Sequence, residues 1–383
     1  MTGFTFNTTP SIRMGAGALD QLGALAAARM QGTVLLVTDR GMMGTGFVER
    51  AEASLMAAGL SVNIFTEVQA DPPEAVVLAA ARAARGTGGV IGLGGGSSLD
   101  VAKLAALLAG GDQSLDQVYG VGNARGPRLA LIAVPTTAGT GSEVTPISIV
   151  TTGASEKMGV VSPVILPDLA LLDPELTLGL PAHVTAATGI DAMVHAIEAY
   201  ASASANNNAI SRALACEALR LMGGALERAV HQPDDHDARS DMLLGSLLAG
   251  QAFANSPVAA VHALAYPIGG HYKVPHGLSN ALVLPHVMRF NAVTAPTPYA
   301  QIAAIAFPEL QGLTGPEAAA GFAQSLADLS ARCGLQQELR EMGIERDALP
   351  VLARDAMNQT RLLVNNPREV TYDDALAIYE AAW

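Results

Sequence analysis

The chain has 383 residues, half of them hydrophobic and only 15% charged. That excludes a disordered protein and leaves room for two domains with sizeable cores. Its 22 basic and 35 acidic residues give a formal charge of −13, which argues against nucleic acid or a membrane surface as partner, because phosphate binding needs concentrated Lys and Arg. Cys216 and Cys333 are the two cysteines. They allow at most one bridge and no cysteine-based zinc cluster, a scarcity that fits a cytoplasmic location. Residues 1–5 lack a basic run leading into an apolar one, so no signal peptide is read there. The most apolar tract, residues 242–270, is broken by Gln251, Asn255, Pro257 and His262. It reads as buried helix and loop rather than as a membrane span.

In chain order, residues 4–6 and 11–14, joined through Thr8, Thr9 and Pro10, read as a short antiparallel hairpin at a sheet edge. Residues 33–38, 62–65, 90–93 and 129–134 are continuous aliphatic runs of buried-strand length. Between them, residues 46–58, 73–85 and 97–108 carry helix formers at helical spacing. Strands alternating with helices predict parallel βαβ units with helices on both faces. Past Pro181 the strand signals fade. Stretches such as 210–228 and 313–332 carry long apolar stripes, and nearly everything to Trp383 reads as helix. The reading is an α/β domain over residues 1–180 and an all-helical domain over residues 181–383.

Two loops point to a nucleotide. Residues 91–100 run from a buried strand through Gly94, Gly95 and Gly96 into a helix beginning near Ser97 and Ser98. Glycines let backbone approach a phosphate, and a helix N-terminus offers unpaired N–H groups to a pyrophosphate. Either serine could cap that helix. An ordinary tight turn between strand and helix would use the same residues. The dinucleotide fingerprint places a ribose-binding acid about 20 residues after the glycines; here the candidate, Asp39, precedes them and can equally be a turn cap. The second loop, residues 135–143, is rich in hydroxyls, Thr136 and Thr137 among them, and follows another buried strand.

Two clusters point to a metal. Asp191 and His195 stand four residues apart on a predicted helix, so they share a face. Alone that spacing is common in solvated helix pairs. Of the chain's eight histidines, His262, His271 and His276 fall within fifteen residues in a nearly uncharged region. Buried imidazoles need partners. Two of these with Asp191 and His195 would make a three-histidine, one-carboxylate set, which suits Fe²⁺ or Zn²⁺ better than Mg²⁺ or Ca²⁺.

With these pieces together the chain resembles the iron-containing (group III) alcohol dehydrogenase family. The match runs through Gly94-Gly95-Gly96-Ser97, Pro135-Thr136-Thr137-Ala138-Gly139-Thr140, Gly189-Ile190-Asp191-Ala192, Pro275-His276-Gly277 and Asn365-Asn366-Pro367-Arg368. The resemblance implies an α/β, Rossmann-like nucleotide-binding domain with a parallel sheet, followed by an all-α metal-binding domain. Metal ligands are then expected at Asp191, His195, His262 and His276. Cofactor contacts are expected at Asp39, Gly95, Gly96, Ser97, Ser98, Thr136, Thr137 and Lys157, with His276 also near the nicotinamide. Asp71 stands where some members have Asn before Pro. Tyr266 stands where several members place another histidine, and a phenol with a pKa of ~10 is a poor relay at neutral pH. His271 is therefore the relay candidate, with a structural or substrate-contacting role as its alternative, and Tyr266 the poorer candidate.

The implied activity is hydride transfer between NAD(H) and a metal-bound small-molecule alcohol or aldehyde, with one divalent ion per chain, Fe²⁺ ahead of Zn²⁺, in a cytoplasmic homodimer. Rival readings on the same fold are a metal-free maleylacetate-type reductase and a hydroxyacid–oxoacid transhydrogenase. A non-catalytic metal- or nucleotide-binding protein is the rival from another class. The complete donor set argues against the metal-free reductase.

Overall fold

The computed structural model describes residues 3–153 and 156–383; Met1 and Thr2, part of the stretch read for a leader, lie outside them. The chain forms two compact units. One is Asn7–Gly179; the other is Leu180–Trp383 together with the N-terminal residues up to Phe6.

The first unit opens with β1 (Ile12–Met14), α1 (Leu22–Ala27), β2 (Thr33–Asp39), α2 (Phe47–Ala57), β3 (Ser61–Val68) and α3 (Glu74–Ala84). Then come β4 (Val90–Gly94), α4 (Gly96–Gly110), α5 (Leu115–Val118), β5 (Gly120–Val121), β6 (Leu131–Pro135), β7 (Ile147–Thr152), β8 (Glu156–Val161) and β9 (Leu169–Leu172). Six strands form an all-parallel sheet in the order β1-β9-β6-β4-β2-β3. A smaller sheet runs β5-β8-β7, with β7 and β8 antiparallel.

The aliphatic runs are continuous because the main sheet is covered on both faces. Along β2, Leu35 and Val37 join a core with Val77, Val101 and Leu104, while Val34 and Leu36 join Leu19, Leu22, Val48 and Leu55 on the other face. Alternate residues of a strand point to opposite sides, so one apolar segment serves two cores. Each such side chain is worth about 1.5–3 kcal/mol of burial.

The N-terminal hairpin is not formed. β1 pairs in parallel with β9, Ile12 to Ala170 and Met14 to Leu172. Residues 4–6 are not strand: the backbone N–H and carbonyl of Thr5 bond at 2.9 Å to the side-chain amide of Asn206. A side chain from the helical unit thus takes the backbone groups a hairpin would have paired. Nothing in the local pattern of residues 4–14 announces a partner so distant in sequence.

The second unit consists of α6 (Ala182–Ala201), α7 (Ala209–His231), α8 (His236–Asn255), α9 (Ala260–Tyr272), α10 (His276–Ala292), α11 (Pro296–Ala306), α12 (Gly315–Arg332), α13 (Leu349–Ala356), α14 (Thr360–Leu363) and α15 (Tyr372–Ala382). Asn208 and Asp235 cap α7 and α8 by accepting from Ser211 and Ala238 backbone N–H groups. The apolar tract 242–270 is α8 and α9 with a break between them. No helix among the described residues is long and apolar enough to cross a membrane. Gly277 lets α10 approach α6 closely: a methyl group there would sit 2.3 Å from the Ala187 carbonyl oxygen.

Candidate metal centre and nucleotide loop

Three helices of the second unit supply one cluster. Asp191 and His195 lie on α6 a turn apart, His262 stands in the first turn of α9, and His276 opens α10. Donor atoms of Asp191, His195 and His262 all lie within 4.8 Å of one another, and all three side chains are buried. His276 Nε2 is 3.8 Å from Asp191 Oδ1, as is His262 Nε2. The His276 side chain is 43% exposed, so it is the accessible member of the four. The His195 ring stacks between Phe253 at 4.3 Å and His262 at 4.8 Å.

Burial pushes the Asp191 carboxyl up, but the imidazoles of His195, His276 and His262 and a hydrogen bond from Asn280 outweigh it and hold the group below the usual carboxylate range. The carboxylate is therefore ionised in a buried pocket of imidazoles. Nδ1 of His262 is 2.7 Å from Glu198 Oε2, and Nε2 lies on the side of Asp191. One carboxylate oxygen and three imidazole nitrogens form a donor set that fits Fe²⁺ or Zn²⁺.

The relay candidates separate. The Tyr266 ring lies 5.8 Å from that of His276, one helical turn past His262. His271 does not join the cluster. α9 stays helical for nine residues beyond His262, about 13 Å along its axis, and His271 Nε2 ends 2.6 Å from Asp355 Oδ2 with 44% of its side chain exposed.

In the first unit, β4 leads through the glycines directly into α4. Gly94 has φ +149°, and a methyl there would lie 2.7 Å from Ser98 Oγ; one on Gly96 would lie 2.7 Å from Thr140 Cγ2. The serines do not cap the helix. The helix starts at Gly96 with Gly95 at the cap position, and no side-chain cap bond is formed there among the described residues. Ser97 and Ser98 sit inside the first turn. The unpaired N–H groups and partial positive charge at such a helix start are chemically suited to an anion.

Asp39 ends β2. Its Oδ1 accepts from the N–H groups of Gly41 and Met42, and its Oδ2 is 3.5 Å from Ser98 Oγ. It thus serves as a turn cap and also stands beside the glycine loop. Thr136 is buried, bonded through its N–H to the Gly94 carbonyl and by its hydroxyl to Met42 Sδ; Thr137, partly exposed, lies against Gly95. Lys157 on β8 pairs with Asp71 at 2.5 Å and donates to Thr151 Oγ1 at 2.9 Å. That tie anchors the loop after β3 to the small sheet.

Sequence reasoning missed the groups behind both clusters. Glu198 follows Asp191 and His195 on the same face of α6, a signal readable as a third buried polar residue at helical spacing. Asn280, one turn after His276, donates to Asp191 Oδ1 at 2.6 Å. On the glycine helix itself, Lys103 is fully buried and donates to Ser142 Oγ at 2.7 Å, Thr145 Oγ1 at 3.2 Å and the Ile147 carbonyl at 2.8 Å, with Asp100 at 3.6 Å. Burial lowers the Lys103 ammonium to about 8, and burial raises the nearby Glu143 carboxyl to about 7.

The chain is 41% identical to long-chain-alcohol dehydrogenase 1 of Geobacillus thermodenitrificans, over 98% of its own length and 95% of the relative's. It superposes on a crystal structure of 1,3-propanediol oxidoreductase with TM-score 0.94 and 35% identity, covering 100% of both chains. Sulfoacetaldehyde reductase of Bifidobacterium kashiwanohense, solved in complex with NAD⁺, matches with TM-score 0.87 and 30% identity over 100% of this chain and 99% of that one. The family model for iron-containing alcohol dehydrogenase matches residues 9–174. The C-terminal model of the same family continues over 185–383, more than half of the sequence. The chain belongs to the iron-containing alcohol dehydrogenase family.

Proposed function

We propose that this protein is a metal- and NAD(H)-dependent dehydrogenase that interconverts small-molecule alcohols and aldehydes, with one divalent ion per chain, Fe²⁺ ahead of Zn²⁺, working as a cytoplasmic homodimer. The observation that carries the reading is the convergence of Asp191, His195 and His262, with His276 beside them, in one buried cluster. The names of the relatives, dehydrogenases and reductases of alcohols and aldehydes, support it.

When bound, the ion supplies Lewis-acid polarisation of the substrate oxygen and NAD(H) carries the hydride. The protein's own residues do the rest. Ionised Asp191 balances part of the ion's charge, and the neutral imidazoles offer lone pairs without adding charge. The uncapped start of α4 receives the pyrophosphate, while Asp39 accepts from a ribose hydroxyl. Thr136, Thr137 and Lys157 complete the nucleotide contacts. Tyr266, next to His276, is positioned to hold a proton; His271 is not. The donor set disfavours a metal-free reductase, which has no use for it.

The test is the ultraviolet absorbance of NADH as the metal-reconstituted protein meets a panel of alcohols with NAD⁺ and of aldehydes with NADH. Reduction or oxidation that needs added Fe²⁺ or Zn²⁺ is expected. Full turnover by an exhaustively chelated preparation would sink the proposal, and exchange only between bound cofactor and a second carbonyl substrate would favour the transhydrogenase.

A further inference from the structure

Glu198 is buried, yet neither of its oxygens is wasted. Oε1 accepts from the backbone N–H of Val261 at 2.7 Å, and Oε2 lies 2.7 Å from Nδ1 of His262. Val261 is the second residue of α9, whose preceding residue offers no side-chain cap. One carboxylate from α6 therefore caps α9 and grips the ring that stands one residue further on. Positions 191, 195 and 198 share one face of α6, so a single helical stripe supplies Asp191, His195 and the group that holds His262.

An ionised carboxylate can only accept hydrogen bonds. The ring nitrogen facing it must carry the proton, and the other nitrogen must carry the lone pair. That other nitrogen, Nε2, looks toward Asp191 Oδ1 at 3.8 Å and the Asn280 amide nitrogen at 3.4 Å. We infer that Glu198 is a positioning residue that fixes His262 in the Nδ1–H tautomer, so that Nε2 is already a ligand before any metal arrives. The inference rests on the proposed metal site and adds to it the group that prepares it.

Glu198→Gln tests this closely because it keeps size and shape. If the amide oxygen continues to accept from the Val261 N–H, the amide NH₂ faces Nδ1. Two donors cannot face each other in a buried site without cost, so the ring moves its proton to Nε2. The lone pair then points away from Asp191. A merely structural role would lower stability and leave the tautomer alone.

Two measurements decide the matter. Long-range ¹H–¹⁵N spectra of metal-free, ¹⁵N-histidine-labelled protein at a pH where the ring is neutral report which nitrogen of His262 is protonated. Nδ1 is expected in the wild type and Nε2 in Glu198→Gln. Competition with a chromophoric chelator reports Zn²⁺ affinity, expected to fall about 10–100-fold in the variant. A wild-type ring protonated at Nε2 overturns the inference, and this outcome stands even if the variant fails to fold. A folded variant with unchanged tautomer and unchanged Zn²⁺ affinity overturns it as well. Absence of any divalent-ion binding by the wild type would instead overturn the proposed metal site, while the metal-free spectrum still decides the tautomer.

Discussion

Asn280 donates its side-chain amide to Asp191 Oδ1 at 2.6 Å, while the oxygen of the same amide is buried with no hydrogen-bond partner among the described residues. The amide nitrogen also lies 3.4 Å from His262 Nε2 and 3.3 Å from His276 Nε2. An orphaned buried acceptor costs about 1–3 kcal/mol, so the pairing with Asp191 comes at a stability cost to the fold. Asn280→Ala removes that orphan but leaves the buried Asp191 carboxylate without its donor and opens a cavity. Metal-free stability is therefore expected to fall by about 1–3 kcal/mol, while Zn²⁺ affinity falls about 10-fold as Asp191 loses its anchor. Denaturant midpoints and chelator competition read the two quantities separately. Equal metal affinity in variant and wild type would show that Asn280 merely fills space.

Gly277→Ala probes the packing that places His276. The added methyl would fall 2.3 Å from the Ala187 carbonyl oxygen and 3.3 Å from Asp191 Cβ. Backbone cannot rotate away as a side chain can, so α10 must shift from α6. The expected cost is about 1–3 kcal/mol of stability, with weaker metal binding because the displaced residue adjoins a ligand. Wild-type stability in this variant would mean that the helices separate freely.

Much of this was legible because it depends on local pattern. The runs at 33–38 and 90–93 are strands wherever they lie, and the Asp191–His195 spacing shares a helix face by geometry alone. What stayed hidden depends on distant partners. The backbone groups of Thr5 go to Asn206, some two hundred residues on, and β1 finds β9 instead of folding back. His271 looked like a member of the histidine cluster because sequence distance was read as spatial distance. A continuous α9 carries it away to Asp355. Glu198 was overlooked for the opposite reason: a lone acid in an alanine-rich helix attracts little notice until its face is shared with two ligands.

The position of Asp39 predicts cofactor preference. Its carboxylate ends β2 beside Ser98 of the glycine helix, where it can accept from a ribose 2′-hydroxyl and would repel a 2′-phosphate. NAD(H) is expected over NADP(H) by at least about 10-fold in kcat/KM, about 1.4 kcal/mol. Asp39→Gly should narrow that ratio, though losing the caps on Gly41 and Met42 will also loosen the turn. Equal use of both cofactors by the wild type would remove Asp39 from the nucleotide site.

His271→Gln separates the two relay candidates. His271 is engaged with Asp355 on an exposed face, and an exposed pair of this kind contributes about 1 kcal/mol or less. Metal content and the pH profile of kcat are expected to match the wild type. A lost limb near neutrality would return His271 to the proton path.

Glu143 gives a prediction about pH and stability. Its side chain is almost fully buried, Oε1 has no hydrogen-bond partner among the described residues, and burial raises its carboxyl from 4.5 to about 7 despite nearby Lys103. Between those values the folded protein holds a proton that the unfolded chain has released. Stability attributable to this group therefore falls as pH rises from 4.5 to about 7, and above that the whole penalty is present. Glu143→Gln is neutral in both states and removes the dependence. Its stability relative to the wild type should climb across the window and level off above it, by on the order of 3 kcal/mol at most. Lys103, lowered from 10.5 to about 8, acts in a separate window: there the unfolded chain binds the extra proton, and stability rises with pH. Denaturation midpoints of both proteins at several pH values test the sign. A difference that stays constant from pH 4.5 to 7 would mean that Glu143 is ionised in the folded protein throughout.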